Sequence, residues 1–365
     1  MAKGIYVGVD GKAHKVKKAY VGVDGKARKV KKGYIGVGGI ARLFFSSEKE
    51  LSYYGKAADL TKSRSYLAAT TVGDYALFGG GSGYSDSVDT YSSSLAKGTA
   101  TNLSVARQAL AATTVGNYAI FAGGSASVRY TTVDAYSGTL VKTSVNELSG
   151  KKANLAATTV GDYALFGGGN NGTSTHYSTV DTYSSSLAKG TATALTVKRK
   201  NLAATTVGDY ALFGGGVDNS TYYATVDTYT STLAKGTATN LSIERSDLSA
   251  TTVGNYALFA GGMNSSAKPL ATVDTYTSTL AKGTAVDLSV ARRYMGATTL
   301  ENYTLFGGGY TSTGVDTVDV YNGDLTKTIT NNLSAVSATL AATTVGDYAL
   351  FGGGYSATVD AYQVI

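Results

Sequence analysis

A carboxylate returns about every 45 residues, each time two positions before a tyrosine: Asp89, Asp134, Asp181, Asp227, Asp274, Asp319 and Asp360. A basic side chain keeps step with six of them, at Arg64, Arg107, Lys152, Arg199, Arg245 and Arg292, and Ser337 stands in the seventh place. Seven carboxylates in a ring could bind cations, and the basic residues could line a mouth for anionic glycans. Placement that does not vary from unit to unit favours a structural role instead, in which carboxylate and cation fix each repeat through a charge-assisted hydrogen bond. Other chemistry is sparse. There is no cysteine, which excludes disulfides and thiolate metal sites. The two histidines, His14 and His176, have no recurring metal-ligand spacing, and His176, in a variable loop, reads as a surface residue. Loop acids Asp86, Asp218, Glu244, Asp247 and Asp316 would serve a glycosidase only as a pair about 5 to 10 Å apart. The chain reads as a binding protein without a cofactor, not an enzyme.

The elements that carry these residues come from a repeat. YALFGGG or a near copy starts at Tyr75, Tyr118, Tyr163, Tyr210, Tyr256, Tyr303 and Tyr348, at spacings of 43 to 47 residues. Before it lies LAATTV, and after it VDTY or VDAY and then SLAKGTATNLS. These make four short segments, a to d, rich in Val, Thr, Tyr and Phe and bounded by Gly and Ser, as strands are. Val-Gly-Asp-Tyr between a and b predicts a type II′ turn with Gly first; Glu301-Asn302 takes that place in the sixth unit. Four antiparallel strands at this period are the blades of a β-propeller. The expected fold is therefore all-β and seven-bladed. Gly55 to Leu60 reads like a strand d with no a to c before it, and the last unit ends after strand c, so the two ends should complete one blade.

In these features the array resembles the Kelch-repeat family: a Gly-Gly pair ending strand b (Gly79-Gly80, Gly123-Gly124, Gly168-Gly169), a hydrophobic-Asp-x-Tyr strand c, and the basic residue before strand a. It departs in having no Trp; Leu95, Leu140, Leu187, Leu233, Leu280 and Leu325 follow the Tyr instead. The resemblance covers roughly residues 50 to 365 and implies a Kelch-type propeller, with function left open.

Repeats inform most where they disagree. All variation in period lies in the loop between GGG and Val-Asp, of 6, 8, 10, 9, 10, 8 and 4 residues. The links from d to a keep their length but vary just before strand a, and alternating strand direction puts both variable elements on one face. Of the 28 tyrosines fourteen are copied in strands b and c. Nine others, Tyr66, Tyr84, Tyr130, Tyr177, Tyr222, Tyr223, Tyr294, Tyr310 and Tyr355, fall on the variable face among Ser, Asn, Thr and Gly. That mixture combines contact area of low entropy cost with adaptable hydrogen bonding, so these nine are the candidate ligand-binding residues, and Tyr faces beside Asn and Asp suit sugars.

Residues 1 to 46 form a separate module, and residues 47 to 365 the propeller. YVGVDGKAHKVKKA, YVGVDGKARKVKKG and YIGVGGIARLFFS repeat at 14 residues, with Asp10-Gly11, Asp24-Gly25 and Gly38-Gly39 as hairpin turns. Residues 1 to 42 hold 11 Lys and Arg against 2 Asp, so of the overall +7 the rest carries about −2. Clustered lysine can attract nucleic acid, but a solvated face or docking on an acidic protein is the favoured reading. The expected anchor residues are Tyr6, Lys17, Lys18, Tyr20, Lys31, Lys32 and Tyr34. No apolar run approaches eighteen residues, and the N-terminus has no apolar signal core, so membrane insertion and export are not expected. The GVDGKAxKVKK repeat is similar to a segment of bacteriophage and prophage structural proteins. That resemblance implies a virion component, assembled in the host cytoplasm in multiple copies, attached to other virion proteins through residues 1 to 46. The propeller would then adhere to a host-surface glycan or protein. The alternatives are a purely structural capsid or tail decoration or connector protein, and an intracellular protein-interaction scaffold.

Overall fold

The structure, a computed structural model, describes residues 6–9, 12–15, 19–23, 26–30, 32–37, 40–46, 49–172 and 174–365. Cα proximity divides the chain into one unit of Met1–Leu51 with Val364–Ile365 and another of Ser52–Gln363.

In the larger unit seven four-stranded antiparallel sheets form the blades of a seven-bladed β-propeller. Blade 1 is typical, with strand a at Ala68–Val72, b at Tyr75–Gly79, c at Val88–Ser92 and d at Lys97–Ala100. Strands b and c are buried almost throughout and strand d is exposed. Sheets that lie face to face between neighbours need apolar residues on both sides of their middle strands, and ALF and VDTY supply them. The buried joint between blades 1 and 2 sets Val72, Leu77, Val88 and Leu110 against Phe121 and Tyr136. Tyr136 stands edge-on to Phe121, centroids 6.0 Å apart, and its hydroxyl donates to the Thr101 carbonyl of the preceding link at 2.8 Å. Each copied strand-c tyrosine is thus a core ring with a satisfied hydroxyl.

The first glycine of YALFGGG has a packing reason. A Cβ on Gly79 would stand 2.7 Å from the Phe121 ring of the next blade. The a-to-b turns match the type II′ expectation in φ, with Gly73, Gly116 and their equivalents at +52° to +53° and Glu301 forced to +51°.

The inner strands carry a device that the sequence reading passed over. Each AATTV or ATTL segment presents two threonines to the axial channel, which fourteen threonine side chains line. The second threonine of each blade donates to the main-chain carbonyl of the second threonine in the preceding blade, as Thr114 does to Thr71 and Thr159 to Thr114, round to Thr71 on Thr344. Its single proton is thereby used, so it accepts from the first threonine of the preceding blade: Thr70 to Thr114 at 2.8 Å, Thr113 to Thr159 at 2.9 Å. The series closes at Thr343 and Thr71, 2.8 Å. Both sets of bonds form unbroken seven-membered circles.

Blade 7 takes Ala341–Val345, Tyr348–Gly352 and Val359–Val364 from the C-terminus and its outer strand from the N-terminus. The outer strand is Leu51–Ala57 and not Gly55 to Leu60. In other blades a tight turn precedes strand d and delays it; the N-terminal strand has no such turn and pairs earlier, with Tyr53 packed on Tyr362 at 5.2 Å.

In the smaller unit Tyr6–Val9 pairs with Lys12–Lys15, Ala19–Val23 with Lys26–Val30, and Lys32–Val37 with Ile40–Ser46, giving three antiparallel hairpins. The turn pairs Asp10-Gly11, Asp24-Gly25 and Gly38-Gly39, and the anchor candidates Lys17, Lys18 and Lys31, lie outside the described residues. Tyr6, Lys32 and Tyr34 occupy strands, and Tyr20 is exposed.

Candidate functional site

The repeated carboxylates are buried hubs. Arg64, Arg107, Lys152, Arg199, Arg245 and Arg292 meet Asp89, Asp134, Asp181, Asp227, Asp274 and Asp319 at 2.6 to 2.8 Å, with all twelve side chains withdrawn from solvent. At Asp134, Ser104 of the link donates through its main chain and hydroxyl, and Lys142 of strand d adds a second cation at 2.9 Å. Burial alone would push this carboxyl up; Arg107, Ser104 and Lys142 more than reverse that and hold it below the ordinary carboxylate value. Asp181, Asp227, Asp274 and Asp319 show the same balance. In blade 7 a serine takes the place of the basic residue. Ser337 donates to the Gly353 carbonyl at 2.9 Å, and Asp360 accepts from the Tyr53 hydroxyl at 2.7 Å. These groups hold blades and are committed to one another.

The place where fixed backbone meets varied side chain is the mouth of the channel. Just before each strand a, Tyr66, Ala109, Asn154, Asn201, Asp247, Tyr294 and Thr339 take the left-handed conformation, φ +53° to +58°. The amide of each donates to the carbonyl of its counterpart in the preceding blade, at 2.8 to 3.1 Å, and Tyr66 closes the circle on Thr339. Left-handed backbone is costly for residues with a Cβ; a complete ring of main-chain bonds offsets the cost while leaving side-chain identity free. These seven residues wall a cup of about 290 Å³, and its floor is Leu67, Leu110, Leu155, Leu202, Leu248, Met295 and Leu340. The variable loops join the same face, since Gln108, Ala153, Lys200, Ser246 and Arg293 of the links bridge to Ser125, Asn170, Val217, Met263 and Tyr310.

Four of the nine candidate tyrosines gather beside this cup. Tyr66, Tyr294, Tyr310 and Tyr355, with Arg293, line an adjoining cavity of about 230 Å³. The Arg293 guanidinium lies 4.9 Å from the Tyr294 ring and 5.5 Å from that of Tyr310, and Tyr66 meets Tyr294 edge-on at 6.3 Å. Burial, and then the neighbouring Tyr355, raise the Tyr66 phenol above its usual value. Asp247 is buried: Oδ2 accepts from Ser246 at 2.8 Å, and Oδ1 makes no hydrogen bond of good geometry. Burial raises its pKa further than Ser246, Arg293 and Tyr294 bring it down.

The other five candidates are dispersed. Tyr130, Tyr177 and Tyr223 share one structural position, where the amide caps the last glycine of the GGG string and the carbonyl accepts from the next blade's buried Lys or Arg; the Lys152 ammonium lies 5.5 Å from the Tyr177 ring. Tyr222 belongs to a short hairpin of Val217–Asp218 with Thr221–Tyr222, and Tyr84 is an exposed loop residue at φ +50°. His176 is not a surface residue. The blade 3 loop folds back through an Asn170–His176 bridge, burying the imidazole with Nδ1 3.1 Å from Asp218 of blade 4. Among the described residues no group of three or more His, Asp or Glu could hold a metal.

Comparison with family models and with curated proteins finds no match. Among solved structures 686 chains are similar, so the fold names no activity by itself. One, titled "Structure of YjhT", superposes with a TM-score of 0.60 at 14% identity, over 75% of this chain and 99% of its own. A likeness so distant in sequence defines the class, a β-propeller, and nothing finer.

Proposed function

We propose that this chain is a surface protein of a bacteriophage particle, attached through residues 1 to 46 and holding out a Kelch-type propeller that adheres to host-surface saccharides. The observation that carries the recognition half is the ring at the channel mouth, where one backbone conformation is repeated seven times under Tyr, Ala, Asn, Asn, Asp, Tyr and Thr. A scaffold that fixes main chain and releases side chains is suited to changing ligands without refolding. Attachment to the particle rests on the 14-residue repeat and its likeness to phage structural proteins. A cup of this size offers weak affinity, and many copies per particle would raise it by about 10² to 10⁴ without new contacts.

Two variants test this reading. Particles carrying Tyr222→Ala with Tyr223→Ala and with Tyr66→Ala should assemble normally and lose attachment to cells, whereas failed assembly would favour a decoration or connector role. Deleting residues 1 to 46 should leave the protein free in solution; a deleted form that still joined particles would refute the anchor.

A further inference from the structure

The cup is symmetric in backbone but not in chemistry, and the asymmetry selects a ligand. Of its seven wall residues one is acidic, Asp247, and the aromatic pair Tyr66 and Tyr294 stands on the same side, with Arg293 beside it. Oδ1 of Asp247 is buried there without a hydrogen bond of good geometry. A buried acceptor left without a good hydrogen bond is costly, so a ligand that supplies a donor would be favoured at this spot.

Resting on the adhesive reading above, we propose that the cup binds one uncharged pyranose ring, hydrogen-bonded to Asp247 and packed on Tyr66, Tyr294 and the leucine floor. A sugar hydroxyl can donate to Asp247 Oδ1. Its C–H face suits aromatic and aliphatic walls. The charge pattern argues against ionised ligands, because a carboxylated sugar meets Asp247 and a cationic one meets Arg293. Size argues against a longer chain: about 290 Å³ lies at the lower edge of the range of about 300 to 1,000 Å³ for small-molecule sites. One terminal residue of a surface polysaccharide fits, and the rest of the glycan would run over the loops.

The test is titration of the full-length protein with free galactose, glucose, N-acetylglucosamine and glucuronic acid, followed by ligand-observed NMR. The expected result is millimolar binding of at least one neutral sugar and none of glucuronic acid. Binding should weaken at least tenfold in Asp247→Asn and in Tyr66→Ala and stay unchanged in Asp209→Lys, in an a-to-b turn of the opposite face. Tyr66 is partly exposed, so its variant keeps the test open if Asp247→Asn fails to fold. Preference for glucuronic acid, or neutral-sugar binding that survives both cup variants, overturns the proposal. Glycan-array binding by multimerised protein that is lost in the Tyr222 and Tyr223 variant but kept in Asp247→Asn overturns this subsite and leaves the adhesive face standing; binding by neither assay removes both.

Discussion

At the scale of single residues, the repeated Asp and its basic partner were legible in the sequence because they recur in register, and side chains in register on a closed ring meet equivalent neighbours. The consequence is a strong dependence on each pair. Asp227→Ala leaves the Arg199 guanidinium fully buried without its carboxylate, which should cost about 3 to 5 kcal/mol, measurable as a lowered midpoint of urea unfolding. Asp247 was legible only as one loop acid among five, since nothing in its spacing distinguishes it from Glu244 or Asp86. Its importance comes from a main-chain conformation that five different residue types adopt, and a property without a preferred residue leaves no trace in one sequence. His176 was misread for a related reason: a long loop looks exposed until its own fold-back and the neighbouring Asp218 are in place.

At the scale of elements, strands a to d were legible because their residue types alternate with turn residues, and strand d of blade 7 was found but placed late. Turn chemistry supports a direct prediction. Glu301 holds the left-handed position that glycine takes in the six other a-to-b turns, so Glu301→Gly should stabilise the protein by about 1 kcal/mol, read as a raised unfolding midpoint. The threonine circles give another. They were passed over because ATT has ordinary strand composition and its hydroxyls find partners only across blades. Thr114→Val removes the donor to the Thr71 carbonyl and the acceptor for Thr70. About 1 to 3 kcal/mol should be lost, with hydrogen exchange rising in strand a of blades 1 and 2 before it rises elsewhere.

At the scale of the molecule, the propeller is closed by several concentric circles, of main-chain bonds at the mouth, of threonines along the channel and of ionic hubs farther out. The hubs set its response to acid. In the folded protein Asp134, Asp181, Asp227, Asp274 and Asp319 are held below the ordinary value of 3.8. The unfolded chain therefore takes up protons first as pH falls, and stability drops. That contribution is fully present above about pH 5 and is lost progressively below it, so thermal melts between pH 6 and pH 3 should show a falling midpoint; a flat profile would contradict the role of the hubs. Seven blades and the face that varies could be read from the repeat, while the site within that face could not, because it is made by one residue from each blade meeting at the axis. The measurement that bears most directly on the recognition claim compares the two faces. Full-length protein, multimerised, is presented to a glycan array as the native chain, as Tyr66→Ala with Tyr355→Ala, and as Asp209→Lys in an a-to-b turn of the opposite face. Binding by the native chain and by Asp209→Lys, lost in the tyrosine variant, is the predicted result. Binding that survives the tyrosine changes and disappears with Asp209→Lys would place recognition on the other side of the propeller and contradict the account.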